Sequence, residues 1–271
     1  MNSANGVIIV TTKQGASEKT RVSYSGLFGI KHATGMEETV DAYTFRMMEN
    51  EMSRNGKKAE VYSQDILDKY KNGVEGYRDW DWIDMYMNKQ AFATNHTLSI
   101  RGGNEKVKYF VSAGYNRDNG LLKNNVQYYE RFTFRSNLTV NLSKYISLNA
   151  NISGYQKDDR RFNWPGSGDD SEDIFDFYRT TFNCLRTVPS YAYLDGTPAN
   201  EKTDYPIYPD VSNFKGWNVA DVVLGDRYIK TRRRNVNGIL SLNIDLGKIL
   251  PGLSTKITGN YIINDYARKK Y

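Results

Sequence analysis

Hydrophobic and polar residues alternate with period two over most of the ordered-looking parts of this chain. Val22, Tyr24, Phe28 and Ile30 fall on one side of an extended segment, and Arg21, Ser23 and Ser25 on the other. Tyr109, Val111, Ala113 and Tyr115 alternate with Lys108, Ser112 and Asn116. The clearest run sets Phe132, Phe134, Leu138, Val140 and Leu142 against Thr133, Arg135, Asn137, Thr139 and Asn141. Ile146, Leu148, Ala150 and Ile152 then oppose Ser147, Asn149, Asn151 and Ser153. Later, Leu240, Leu242, Ile244 and Leu246 oppose Ser241, Asn243 and Asp245, and Leu253, Ile257, Tyr261 and Ile263 oppose Ser254, Lys256, Thr258 and Asn260. Each run predicts a strand with one apolar face, about seven in all, in an all-β antiparallel sheet.

The connections sharpen this reading. Residues 102–105, 143–145 and 247–252 are short turns, the last carrying Pro251. Between them lie long connections, from residue 31 to about 95, 117 to about 127, and 156 to about 226. Short and long connections alternate strictly, as in an outer-membrane barrel with short periplasmic turns and long extracellular loops. The apolar runs have the length, about 9–11 residues, that crosses a bilayer at a tilt. An antiparallel barrel does not close on seven strands, and seven leave two edges open, so the expectation is part of a larger barrel. Within the long connections, residues 39–54 carry Val40, Phe45, Met48 and Met52 at helical spacing, and Ser63 can cap a second helix over 64–71 that ends near Gly73. Residues 163–171 read as a loop, and Asp195-Gly196 as a turn.

Composition supports a strand-built membrane wall more than a compact core. Only 39% of the residues are hydrophobic, 21 are Tyr, and the mean hydropathy is −0.66. No stretch approaches the roughly 18 unbroken apolar residues of a membrane helix. Barrel strands stay low in hydropathy because only alternate residues meet lipid. Residues 1–10 lack a basic region and a long enough apolar run for a secretory signal, which fits a chain cut from a longer exported protein. Cys184 stands alone, so no internal disulfide forms.

The net charge of +6 raises the question of nucleic acid. The cations are scattered apart from Arg232-Arg233-Arg234 and Arg268-Lys269-Lys270, and no nucleic-acid fold signature is present. They read instead as charge of a barrel lumen or membrane edge. On a strand, Arg232 and Arg234 would face the lumen or the lipid phosphates at the surface.

Enzyme chemistry has little support. His32 and His96 are far apart and away from metal-ligand spacing, and there is no Gly-x-Ser-x-Gly elbow. The expected cofactor set is empty. Asp169, Asp170, Glu172 and Asp173 form an acidic cluster whose oxygens suit a hard cation, so Asp169, Asp170 and Asp173 are weak calcium candidates; the spacing is not that of an EF-hand. Trp80, Trp82, Trp164 and Trp217 all fall in long connections, where they either stack on a ligand, pack beneath the loops or sit at a membrane interface. Trp164, Trp217, Tyr193 and Trp82 are the ligand-contact candidates, with Trp80 and Trp82 better suited to packing.

Residues 5–15 read Asn-Gly-Val-Ile-Ile-Val-Thr-Thr-Lys-Gln-Gly. This run resembles the end of the plug domain in SusC/RagA-like TonB-dependent outer-membrane transporters, with Asn5, Gly6, Thr11, Thr12 and Gly15 carrying the likeness. Asp79-Trp80-Asp81-Trp82 resembles the family's Asp-Trp element, and His96-Thr97-Leu98-Ser99-Ile100-Arg101-Gly102-Gly103 its Asn-His-x-Leu-Ser-x-Ser-Gly-Gly hairpin, with Arg101 in place of Ser. Residues 109–120, with Gly114-Tyr115 and Asn119-Gly120, are similar to its next strand and loop. Glu130-Arg131-Phe132-Thr133-Phe134-Arg135-Ser136-Asn137-Leu138 and residues 189–196 resemble a later strand and a later Pro-x-x-x-Tyr-x-x-Asp-Gly loop. The motifs are individually weak but occur in the family's order along nearly the whole chain.

The resemblance implies residues 1–16 as the end of a plug and 17–271 as the N-terminal part of a barrel of about 22 strands. It implies import of glycan or peptide oligomers, a SusD-like surface lipoprotein as cap, outer-membrane lipid around the wall, and energy from the TonB complex through an N-terminal region this chain lacks. Two other readings stay open: a surface glycan or peptide receptor that does not transport, and a soluble β-sandwich binding module.

Overall fold

A computed structural model describes residues 15–36, 38–125, 127–163, 170–192, 198–199, 219–225 and 227–271. In order they form β1 (Arg21–His32), α1 (Ala42–Asn55), α2 (Gln64–Asn72), α3 (Trp82–Tyr86), β2 (Gln90–Gly103), β3 (Val107–Asn119), a 3-10 turn (Lys123–Asn125), β4 (Tyr128–Asn141), β5 (Ile146–Phe162), α4 (Asp170–Asn183), β6 (Tyr191–Ala192), β7 (Pro198–Ala199), α5 (Val219–Leu224), β8 (Tyr228–Asp245) and β9 (Ser254–Lys270). Seven strands make one open antiparallel sheet in the order β1-β2-β3-β4-β5-β8-β9, and β6 pairs with β7 in a separate hairpin. The all-β expectation and the strand number hold.

The register places each predicted alternation on a common face, because residues paired directly across antiparallel strands point the same way. Leu138 pairs with Ala150, Ala150 with Leu240, and Leu240 with Gly259. One step along, Asn137 pairs with Asn151, Asn151 with Ile239, and Ile239 with Asn260. The sheet therefore has one apolar face, with Val22, Phe28, Leu98, Val111, Phe134, Leu240 and Ile257 among its residues, and one face dominated by Ser, Thr, Asn and charge. The apolar face is uncovered: Phe28 is 77% and Ile257 61% exposed. Phe110 breaks the pattern. It lies on the polar face beside Asn137, and both are buried.

Short side chains set the tight turns at one end of the sheet. Asn104 Oδ1 accepts from the amides of Lys106 and Val107 at 2.8 and 2.9 Å, Ser143 Oγ from Tyr145 and Ile146 at 3.2 and 3.1 Å, and Asp245 Oδ1 from Gly247 at 2.8 Å. Such side-chain caps fix a reversal locally and so fix the strand register behind it. Large rings lie over glycines on neighbouring strands. Phe134 covers its cross-strand partner Gly154, where an added Cβ would stand 2.7 Å from the ring.

Two strands run further than the apolar alternation indicates. β5 has 17 residues and β8 has 18, continuing to Phe162 and back from Tyr228, where the sequence reading placed a loop from residue 156. The extension is held by polar pairs. Arg232 grips Asp158 through two hydrogen bonds of 2.8 and 2.9 Å, and Arg234 bonds Gln156 at 2.9 Å. Hydrophobic periodicity is blind to a ladder made of charge.

Candidate functional site: the polar face and the loop cluster above it

The connections 33–89, 120–127 and 163–227 all leave the same end of the sheet. Their described parts pack into one buried cluster of Trp80, Trp82, Ile83, Tyr86, Met87, Leu122, Phe177, Cys184, Tyr191, Val219, Ala220, Val222 and Val223, joined by Phe162 at the end of β5. The principal core of the described chain is thus beneath its loops and not against its sheet.

In the first connection, α1 starts at Ala42 because Asp41 caps it, its Oδ1 accepting from the Thr44 amide at 2.9 Å. That amide and the Thr44 hydroxyl favour the ionised carboxylate and hold Asp41 below the usual carboxylate range against the cost of burial. α2 follows Ser63 as the sequence predicts, though the Ser63 side chain makes no capping bond, and it ends at Gly73 in the left-handed conformation, φ 61°. Asn50 closes the link between the helices. Its Oδ1 accepts from Val61 and Tyr62, and its amide donates to the Tyr62 carbonyl. α3, α4 and α5 were not anticipated. α3 and α5 have only 5 and 6 residues, too few for a period to be read.

Arg186 ties the first and last connections together. Its guanidinium engages both oxygens of Asp79, Nε at 2.8 Å, and reaches Asp81 at 3.0 Å and the Thr39 carbonyl at 3.3 Å. The Arg186 carbonyl accepts from the Trp80 amide at 2.8 Å, and the Tyr86 and Ser190 hydroxyls bond each other. The hydrogen bonds that Arg186 donates to Asp79 favour its charged form, raising its pKa against the cost of burial. Asp79 also accepts from the Ala42 amide at 2.9 Å, so one carboxylate fixes a helix start and an inter-loop pair. Cys184 sits in the same cluster, and burial pushes its thiol up to about 12. It is an inert packing residue.

On the polar face, small side chains bond across strands. Thr139 donates to Asn149 at 2.8 Å, Asn235 to Asn264 at 2.7 Å, and Ser241 bonds Thr258 at 3.0 Å. The apolar face carries a band of rings at one level: His96 stacks on Tyr24 and Tyr115, and Tyr115 meets Phe132. His96 Nδ1 bonds Tyr24 at 2.8 Å, within a strand rather than at a rim or turn.

The sequence-derived candidates divide as follows. Trp82 is 1% exposed, tilted against Tyr86 inside the loop cluster, so its ring packs against protein and presents no face to a ligand. Trp80 packs likewise, edge-on to Tyr191 with the Arg78 guanidinium over its ring. Trp164, Trp217, Tyr193 and Asp169 lie outside the described residues, as do Asn5, Gly6, Thr11 and Thr12. Asp170 and Asp173 fall in the first turn of α4 rather than in a loop, and no cluster of metal ligands occurs among the described residues. Gly15 lies against the backbone of Lys108 and Tyr109, too close for any side chain. Arg232 and Arg234 share the face of Leu240, not the polar face. What the sequence reading missed is Arg186 and its pairing with Asp79 and Asp81 of the quoted motif, an association set by packing of segments about a hundred residues apart.

This chain was compared with known proteins. No family model matches it. It is 29% identical over 151 residues to TonB-dependent receptor P3 of Formosa agariphila, covering 56% of this chain and 13% of that protein. It is 30% identical over 136 residues to TonB-dependent receptor SusC of Bacteroides thetaiotaomicron, covering 50% of this chain and 12% of that one. The structure superposes on that of the RagAB peptide transporter with a TM-score of 0.60, at 18% identity, over 98% of this chain and 30% of that one. The chain is thus similar in sequence to TonB-dependent receptors, SusC among them. At 18% identity the structural likeness speaks for the fold alone. That fold agrees with the antiparallel strands and the alternating short and long connections read from the sequence. The SusC/RagA-like relatives are receptors and transporters, not enzymes. The chain spans about an eighth of the curated relatives it matches.

Proposed function

We propose that this chain forms part of the wall and outer loops of a TonB-dependent outer-membrane transporter for glycan or peptide oligomers. One observation carries the reading: a seven-stranded meander keeps an uncovered apolar face opposite a polar one, while its buried core lies in the loops at one end. A soluble sandwich buries the apolar face of its sheet. A barrel wall turns that face to lipid and the other to a water-filled or plugged lumen. The tight turns are then periplasmic and the loop cluster extracellular. Residues 1–16 are the end of the plug and 17–271 belong to the barrel. The ends of β5 and β8, longer than a bilayer needs, project from the membrane at the loop side.

The likeness to SusC and to the RagAB transporter supports a SusD-like lipoprotein as partner, seated over the loops, and TonB as the source of force. Trp164, Trp217 and Tyr193, from the connection after β5, are the proposed ligand contacts. Fractionation of the source cells tests the reading, with antibody to residues 160–180 and boiled and unboiled samples compared. The expected result is an outer-membrane band that shifts on boiling and co-purifies with a surface lipoprotein. A soluble species, unchanged by boiling, would bring the sandwich module forward.

A further inference from the structure

Three consecutive arginines on β8 meet two different fates. Arg232 and Arg234 point to the apolar face and meet carboxylates there: Arg232 through the paired bonds to Asp158, and Arg234 through Asp265 at 3.6 Å, with a further hydrogen bond to the neutral Gln156. Arg233, between them, points to the polar face. There the register sets Arg131 of β4 opposite Lys157 of β5, and Lys157 opposite Arg233 of β8. Three cations stand abreast on adjacent strands, and none of them forms an ion pair among the described residues. Each leans on a tyrosine ring instead: Arg131 on Tyr155 at 4.9 Å, Lys157 on Tyr129 at 4.8 Å and Arg233 on Tyr266 at 5.6 Å.

Like charges placed directly opposite destabilise a sheet. The same strands supply carboxylates to the cations of the other face, so the imbalance is confined to one side. A recess of about 220 Å³ opens at this point, lined by Lys157, Asp159, Arg161, Arg233, Tyr266 and Arg268 among others. Four of these are cationic and Asp159 alone is anionic. The recess lies at the loop end of the polar face, where a ligand passing the loops would arrive. A local conflict that the fold keeps, at a concave and water-facing place, marks a site whose missing partner is a ligand.

We infer that this row is a binding subsite for carboxylate-bearing oligomers, with Arg131, Lys157 and Arg233 as its anion-recognising residues. The inference rests on the polar face being the lumen and narrows the transported class to acidic ligands. Guanidinium and ammonium donors spaced by neighbouring strands, about 5 Å apart, match a chain that carries an anion on each unit.

The test uses the receptor that carries this chain, extracted from outer membranes in detergent, with hexagalacturonate, hexaglutamate and neutral maltohexaose as probes. Calorimetric titration should show an acidic hexamer binding at least on the order of tenfold more tightly than maltohexaose, with affinity falling steeply as salt is raised. The double variant K157Q/R233Q should lose on the order of a hundredfold in acidic affinity, about tenfold for each charge-assisted contact. R234Q, on the apolar face, should change it by less than about twofold. Thermal stability of K157Q/R233Q should be unchanged or higher, since like charges have been removed; a purely structural role would lower it. Binding of the sugar acid alone assigns a polysaccharide source and of the peptide alone a protein source, and either supports the subsite. Equal affinity for acidic and neutral hexamers, or an unaffected double variant, would overturn it. Boiling shifts on the same preparations report the barrel separately, so failure of the subsite and failure of the transporter reading give different results.

Discussion

At the residue scale, the loop cluster depends on a few polar contacts that no periodicity announces. Arg186→Ala removes a guanidinium held by Asp79, Asp81 and the Thr39 carbonyl. The side chain is 16% exposed and the aspartates about twice that, so the cost is below that of a fully buried pair, roughly 2 kcal/mol. Faster tryptic cleavage within residues 33–89, with the barrel's boiling shift retained, is the expected outcome. Asp41 gives a pH dependence of known sign. Its carboxyl is held below its ordinary value of 3.8, so its contribution is complete above that pH and is lost as pH falls through the lowered folded value. Asp41→Asn keeps a capping oxygen without the titration and should flatten the acid loss of α1, read as amide exchange at Thr44 from pH 5 to about pH 2.5. These contacts were only half legible. The Asp79-to-Trp82 run stood out as a motif and Trp80 and Trp82 as packing residues, but nothing near them in the chain pointed to Arg186.

At the element scale, the strands were the most legible part, because period-two alternation and the turn side chains agree on one register. Asn104 and Ser143 sit in the short turns that were expected, and Asp245 ends β8 just before the third and caps its first residue. What the alternation missed has a physical cause in each case. β5 and β8 extend on charged pairs, and Phe110 occupies a polar face where a large ring fills space beside Asn137. The two faces predict opposite responses to charge. Leu240→Arg places a cation in the apolar band and should cost about 2–4 kcal/mol of barrel stability if that band lies near the bilayer centre. Asn237→Arg, three residues earlier on the polar face, should cost less than about 1 kcal/mol. Urea unfolding in lipid vesicles compares the two, and equal costs would mean that the faces are not distinguished by lipid.

At the scale of the whole molecule, sheet and loops solve different problems. The described loop residues bury Trp80, Trp82 and Phe177 in one cluster with Phe162 at the end of β5. The sheet leaves Phe28, Tyr261 and Ile257 uncovered, and on the proposed reading the bilayer is the solvent for that face. The family resemblance was visible early because its motifs occur in order; the sequence likeness to TonB-dependent receptors covers about half of the chain, and the fold comparison shows the fold over nearly all of it. The acidic-ligand subsite was not visible, since it depends on which arginine of a run of three faces which way. The central claim is that the apolar face of the sheet meets lipid and the polar face water, and site-directed fluorescence reads it most directly. In a Cys184→Ser background, single cysteines are placed one at a time from Val236 to Ile244 on β8, labelled, and reconstituted with lipids carrying a quencher on the acyl chain. The account predicts quenching at Val236, Leu240, Leu242 and Ile244 and access to aqueous reagent at Asn237, Ser241 and Asn243, alternating with period two. Loss of that alternation, or aqueous access at both sets, would contradict it.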